Sequence, residues 1–453
     1  MEATEFAGWT EAFQRFARRY GPLFGGWAAQ DRGAQYLQGL LLGRAERRNA
    51  ENLAEQVEGA TPRALQRFLT EAPWSVDRVT ARLQKDTAPL LESPDAAWVV
   101  DETGFTKQGT KSVGVARQYS GTLGKVGNCQ VGVFLGYASE RGQALVDSRL
   151  YLPAHWTDDR ARCHAAGVPD RVPFQTKPEL ALAMLRAARA RDYLHARWVT
   201  GDEVYGGNPA FRDALDADGY RYVLEVPSST ILQAIRADAA PPEPLGGGWT
   251  RRTDLAPART VAELAAALPA DRWHLLEVAE GAPGPRIYRF AQERVHEVRA
   301  GVRGAERELL LRTNPDGTEV RYYLANTPAG VALLVLGRVA STRWTIETGF
   351  EQAKGEAGLD EYEVRSWAGW HHHITMALLA SLFLLQIRLD WGKKSAPRDD
   401  PASGPGAPRT AAEEALDRDR PGGLVGADPG PERRGQGCPR LAPAAGPAPL
   451  APP

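Results

Sequence analysis

The chain has 453 residues, room for two to four structural units and more than one packed core. Lysine plus arginine (55) balance aspartate plus glutamate (56), so no global basic signature marks a nucleic-acid partner, although a basic stripe on one face stays open. Hydrophobic content of 43% and charged content of 25% exclude a disordered or membrane chain, and three cysteines (Cys129, Cys163, Cys438) fit a reducing cytoplasm better than a disulfide scaffold.

The acidic start MEATEFAGWTEAF lacks the apolar core of an export signal. Positions 10–90 then predict helices. AERRNAENLAEQVEG and TPRALQRFLTEAPWSVDRVTARL carry apolar residues three or four apart, with Thr61 and Pro62 as N-cap and first helical residue. This suits a helical domain over 1–92, either a purely structural bundle or one of helix-turn-helix type.

From position 96 the period becomes that of strands. AAWVVDETGF ends in carboxylates, and SVGVARQYSG, CQVGVFLGYAS and ALVDSRLYLP follow as an antiparallel meander. TKPELALAMLRAARARDY predicts a helix, ARWVTGDEVYG a strand ending in polar residues, and NPAFRDALDADG a helix capped by Asn208. YRYVLEVP closes the block as a strand, giving a mixed α/β unit over 93–227.

Positions 228–319 predict a β-rich insertion, with RWHLLEVAEG, PRIYRFAQERV, ERELLLRTN and TEVRYYLAN as strands and a Pro-Asp-Gly turn at 315–317. Over 320–392 the chain returns to helix: RVASTRWTIETGFEQAKGEAG, then HHHITMALLASLFLLQIRL. The apolar run 374–387 falls short of the roughly 20 residues that a membrane span needs. The stretch 393–453 is of low complexity; from Pro397 it holds 13 of the 33 prolines and no Phe, Trp or Tyr, too little apolar surface to offset chain entropy. Positions 1–396 hold 48 basic against 48 acidic residues, so the remainder is neutral as well.

Asp101 and Asp202 each end an apolar strand, and Glu347 sits on a helix far downstream. Oxygen ligands of this kind suit magnesium or manganese, and a pair of such ions supports phosphoryl transfer. Arg343, Glu347 and Lys354 stand at i, i+4 and i+11, which puts them on one helical face, while Trp344, Ile346 and Phe350 supply packing. Spacing alone is equally compatible with a solvated helix bearing ordinary ion pairs. Glu102 and Glu203 neighbour the two aspartates, but successive strand residues point to opposite faces. Glu351, one turn beyond Glu347, stays open as an alternative ligand. His371, His372 and His373 run consecutively at a helix start, poor ligand geometry that predicts capping and solvent exposure. His155, Cys163 and His164 lack a fourth zinc ligand.

Three blocks together, WVVDETGFTKQGTKSVGVARQYSG, WVTGDEVYGGNPAFRDAL and RWTIETGFEQAK followed by GLDEYEVRSWAGWHHHI, resemble the DDE-type insertion-sequence transposases. The group is the one typified by insertion sequence seven-hundred-and-one, related to insertion-sequence-four-like enzymes. The resemblance implies an α/β fold: a ribonuclease-H-like core with a β-rich insertion, an N-terminal helical domain and a disordered C-terminal tail. It implies Asp101, Asp202 and Glu347 as catalytic residues and ligands of two Mg2+ or Mn2+ ions. The family signature Y-x2-R-x3-E-x6-K maps onto Arg343, Glu347 and Lys354, with its Tyr position at Ala340, a departure.

Arg343, Lys354, Lys107, Tyr205 and Trp344 are then candidate DNA contacts, with Tyr205 equally a packing residue, and Trp344 and Trp367 either stack on a base or are buried. Arg117, Lys125 and Arg365 could meet phosphates. The implied partners are terminal inverted repeats, read by the helical domain 1–92, and target DNA, bound by a homodimer in the synaptic complex of a bacterial, nucleoid-associated protein. The alternatives are a transposase-derived DNA-binding protein that no longer cleaves, and an unrelated hydrolase using the same acids. The tail after WGKKSAPR reads either as a disordered extension or as GC-rich DNA translated in a shifted frame.

Overall fold

The computed structural model describes residues 3–42, 47–121, 124–235, 243–246, 249–251, 256–279 and 284–395. The stretch read as low-complexity from 393 begins within a helix that runs from Trp367 to Ser395; from 396 on it lies outside the described residues, and both readings of the tail with it. Helices α1 (Ala3–Phe24), α2 (Trp27–Leu42), α3 (Ala50–Gln56), α4 (Pro62–Thr70) and α5 (Val76–Leu91) come first. Thr61 caps α4 by accepting from the Ala64 amide, with Pro62 at the first helical position.

Then follow β1 (Ala97–Thr106), β2 (Ala116–Ser120), β3 (Lys125–Ser139), β4 (Gly142–Tyr151), α6 (Ala154–Thr157), α7 (Arg160–Ala165), α8 (Lys177–Arg191), β5 (Trp198–Gly201), α9 (Glu203–Gly206), α10 (Pro209–Ala217) and β6 (Arg221–Glu225). Thr176 and Glu179 close a reciprocal capping box on α8, and Asn208 caps α10.

The region read as an insertion supplies β7 (Ile231–Ala234), β8 (Glu243–Gly246), β9 (Trp249–Arg251), β10 (Arg259–Thr260), α11 (Val261–Ala266), β11 (His274–Ala279), β12 (Arg286–Arg299) and β13 (Val302–Thr313). The chain ends its described part with β14 (Arg321–Ala325), α12 (Leu333–Thr342), α13 (Trp344–Ala357) and α14 (Trp367–Ser395).

In the sheet the order is β4-β3-β1-β5-β6. β3 runs antiparallel to β1 and β4, whereas β1, β5 and β6 are mutually parallel. An antiparallel meander joined to parallel strands in this order is the ribonuclease-H-like core. β14 adds antiparallel to β6, and β13, β12, β7 and β10 continue outward, so strands from 228–319 extend the same sheet.

The predicted single helix over 338–358 is two, α12 and α13, broken at Arg343. At the break, the Thr342 and Thr345 hydroxyls compete for backbone carbonyls: Thr342 Oγ1 donates to the Arg338 carbonyl at 2.9 Å and Thr345 Oγ1 to that of Thr342 at 2.7 Å. Ala340, where the family signature has Tyr, is buried in α12.

α14 is long and apolar enough over Trp367–Asp390 to cross a membrane, yet most of that stretch is buried inside the protein. It packs against α2, α4, α5 and β4. The three consecutive histidines are therefore buried, not the solvated caps the sequence suggested. His372 stacks on Trp74 at 3.8 Å between ring centroids, and His373 meets the Tyr36 hydroxyl at 2.8 Å and the Gly358 carbonyl at 3.0 Å. Burial holds His371 and His373 down to about 3.

An unfolded histidine titrates near 6.5, so below that pH the unfolded chain takes up protons that the fold refuses. This contribution to stability is present above about pH 6.5 and lost toward pH 3, by about 1.4 kcal/mol per pH unit for each histidine. His373→Gln should therefore flatten the fall of melting temperature between pH 6.5 and 5. A slope equal to wild type counts against the buried neutral ring.

Candidate active site

Register brings the site together. Val100 of β1 lies opposite Gly201 of β5, and Gly201 opposite Leu224 of β6. The next residues are Asp101, Asp202 and Glu225, so three carboxylates form a row where the parallel pairing of three adjacent strands ends, a position at which side chains from different strands converge. Asp101 is 8% exposed and Glu225 5%. Asp202 N-caps α9, accepting from the Val204 amide at 3.0 Å. The sequence reading missed Glu225, although YRYVLE ends an apolar strand in an acid just as WVVD does; only the register shows that it joins the row.

α13 lies across β1 on the Asp101 face. Arg343, at its start, is 2.9 Å from Glu347 Oε1, 3.6 Å from Glu225 Oε2 and 3.7 Å from Asp101 Oδ2. Eleven residues on, Lys354 Nζ donates to Thr103 Oγ1 at 2.9 Å, one same-face step along β1 from Asp101. Burial lowers the Lys354 ammonium. Between these two cations Ile346 and Phe350 are buried, Phe350 edge-on to Phe134.

On the opposite face of β1, Glu102 accepts from Lys177 Nζ at 2.6 Å and from the Tyr205 hydroxyl at 2.7 Å. Tyr205 is fully buried in the core, its hydroxyl pushed well up by burial and by Glu102. That corrects the expectation of a DNA contact there: this ring supports the Asp202 turn from behind. Lys107 stands six residues beyond Asp101, roughly 20 Å along the strand. Its ammonium donates to the Tyr362 carbonyl at 2.9 Å and lies 3.4 Å from the Tyr362 ring centroid, and burial lowers it to about 8. It lines a cavity of about 700 Å³ between the N-terminal helices and the 362–366 segment, away from the acids. Trp344 is half-buried with the Arg286 guanidinium 3.6 Å from its ring centroid, and Trp367 packs on His371.

Burial, then the charges of Asp202 and Glu102, push the Asp101 carboxyl well above the usual range, against the opposing pull of Arg343. Burial and Glu102 push Asp202 up to about 6. Arg321 pairs with Glu225, and Arg343 alone leaves Asp101 and Asp202 short of positive charge; the donors are hard carboxylate oxygens, which fits a divalent cation at Asp101 and Asp202. Glu347 reaches them only through Arg343, and no three His, Cys, Asp or Glu side chains among the described residues are grouped to hold an ion as they stand. The Glu347 side chain is 54% exposed and has room to swing. Cys163 is buried, donating to the Trp156 carbonyl, with no zinc group around it among the described residues.

Close backbone approach holds the row. A Cβ on Gly206 would lie 1.9 Å from the Glu225 carbonyl oxygen, so only glycine lets α9 pack against the end of β6. Gly206→Ala should cost about 3 kcal/mol, seen as a lowered denaturation midpoint. Wild-type stability in this variant would mean that α9 and β6 separate freely.

The family model described as DDE superfamily endonuclease matches residues 21–285, a stretch that holds Asp101, Asp202 and Glu225 and stops before α13. The chain is similar to a protein of Microchaete diplosiphon described as a probable transposase for insertion sequence element IS701, 26% identical over 207 residues, 44% of this chain. The chain spans about half the length of that curated relative. Among solved structures it is similar to the piggyBac transposase synaptic complex with hairpin DNA, at a TM-score of 0.33 and 12% identity, covering 68% of this chain and 50% of that one. The chain belongs to the DDE superfamily of endonucleases.

Proposed function

We propose that the protein is a transposase that cuts DNA at the ends of its own mobile element and joins those ends to target DNA. The observation that carries this reading is the row of Asp101 and Asp202 beneath the Arg343 and Glu347 pair of α13. Water would hydrolyse a phosphodiester and leave a DNA 3′-hydroxyl. That hydroxyl would attack a target phosphodiester and release another 3′-hydroxyl, so no covalent protein–DNA bond is needed. Mg2+ or Mn2+, as two ions, would supply Lewis-acid stabilisation of the charge that develops at the phosphorus centre.

Asp101 and Asp202 would hold the ions, and Glu347 would turn toward them from Arg343. Arg343 and Lys354 would hold DNA phosphates, which fix register without reading sequence. The charge pattern supports a DNA partner: from Thr106 to Ser139 the chain has four cations, Lys107, Lys111, Arg117 and Lys125, and no acid. The β2–β3 hairpin within that stretch exposes Arg117, Lys125 and Tyr119. The helical region 1–92 would recognise the terminal inverted repeats, and synapsis of two ends implies a homodimer on DNA.

The test is a strand-transfer assay with Mg2+ and an oligonucleotide carrying the element end, identified from inverted repeats flanking the gene. Joined product supports the reading. Binding without product would leave a DNA-binding protein that does not cleave.

A further inference from the structure

Resting on the reading above, we propose that Glu225 is a positioning residue of the site: it holds the Arg343 guanidinium in place while Glu347 leaves it for the divalent cation. Arg343 faces three carboxylates at once, and they differ in freedom. Glu347 is its nearest partner at 2.9 Å but sits on a half-exposed side chain. Asp101, at 3.7 Å, belongs to the pair that would face the cation. Glu225 is the fixed one. It is buried on the last residue of β6, paired with Tyr323 of β14, and its other oxygen accepts from Arg321 at 2.9 Å.

Cation binding draws on Asp101 and Glu347, the same two groups that neutralise Arg343. Without a third carboxylate, Arg343 and the cation would compete for one set of oxygens. Glu225 removes that competition, because its Oε2, 3.6 Å from Arg343 Nε, stays on the guanidinium whichever way Glu347 points. Glu225 thus touches neither DNA nor the reacting atoms and acts through Arg343.

Glu225→Gln keeps the shape but weakens that hold, so Arg343 should settle more tightly on Glu347 and Asp101. The readout is Mn2+ titration of the full chain without DNA, followed by thermal stabilisation. The midpoint should rise about tenfold, the usual scale for losing a residue that orients metal ligands. Arg321→Gln is the control, since it breaks the other half of the Glu225 arrangement and carries any purely structural effect, yet leaves the Arg343 contact. Its midpoint should match wild type. Should Glu225→Gln fail to fold, Glu225→Asp retains the charge for Arg321 and draws back from Arg343, and the same rise is expected.

A wild-type midpoint in the Glu225 variants, or an equal rise in Arg321→Gln, overturns the proposal. If wild type itself shows neither stabilisation by Mn2+ nor strand transfer, the reading of the site fails and the role of Glu225 falls with it.

Discussion

On the proposed transposase reading, Asp101→Asn should abolish DNA joining and at the same time stabilise the metal-free fold. Loss of the central oxygen ligand should lower strand transfer about a thousandfold or more, equivalent to roughly 4 kcal/mol of transition-state stabilisation. The stability gain has a separate origin. Asp101 is buried beside Asp202 and Glu102, and its carboxyl is pushed well above the usual range. A carboxyl whose folded value lies above its unfolded value, near 3.9, favours the fold only when protonated. That contribution is fully present below about pH 4 and lost as pH rises through the folded values, of which Asp202 marks about 6.

At neutral pH the native chain therefore carries an unfavourable buried carboxyl that asparagine relieves, while keeping an oxygen to accept the Glu102 amide at 2.7 Å as Asp101 Oδ1 does. In EDTA the variant should melt a few degrees above wild type at pH 7.5, with the difference closing toward pH 4. Adding Mg2+ should raise wild type and leave the variant unmoved. A variant less stable than wild type in EDTA at pH 7.5 would sink the argument, because it would mean that Arg343 already satisfies Asp101. The sign is opposite to that of the buried histidines, which weaken the fold as pH falls, so the two effects separate by variant.

How far the sequence went depended on how local each signal is. Apolar runs reaching Asp101 and Asp202, and the i, i+4 pair of Arg343 and Glu347, can be read from spacing, and the structure places them around one row, although β1 does not end at Asp101 but continues to Thr106. Glu225 carries the same strand-end signal, but its membership depends on the parallel register of β5 and β6, which no local pattern encodes. That Arg343 stands between the acids instead of beside them is likewise a tertiary fact. For Tyr205 the sequence left DNA contact and packing equally open; the four-residue helix after Asp202 turns it inward against Glu102. The three histidines failed for the converse reason. α14 begins at Trp367, so the histidines lie in its second turn, inside the stretch 369–380 that is buried on every side.

The largest loss of stability should come from Glu297→Ala, some distance from the acids. Glu297 on β12 and Arg212 on α10 form an ion pair whose side chains are only 4% and 2% exposed. Arg212 also donates to the Gly206 carbonyl, so it ties the turn after Asp202 to β12. Around this pair, Arg299 bridges Glu297 at 2.8 Å and Asp213 at 2.6 Å, and Arg307 pairs with Asp216, which also accepts from Asn326 at 2.8 Å. Removing Glu297 leaves a buried guanidinium uncompensated, at a cost of about 3–5 kcal/mol. Denaturant unfolding should show that fall.

The pair itself is a different quantity. Desolvating two charges consumes most of their attraction, so replacing both partners with apolar residues, Arg212→Met with Glu297→Leu, should recover most of the stability lost by either single change. Recovery would show that the pair serves to fix α10 against β12, and with it the Asp202 turn, more than to stabilise the fold. In that case the double variant should fold well yet bind Mn2+ less tightly than wild type, since the Gly206 carbonyl has lost its tether. A double variant as unstable as Glu297→Ala would instead assign the stability to the wider network through Arg299 and Asp213.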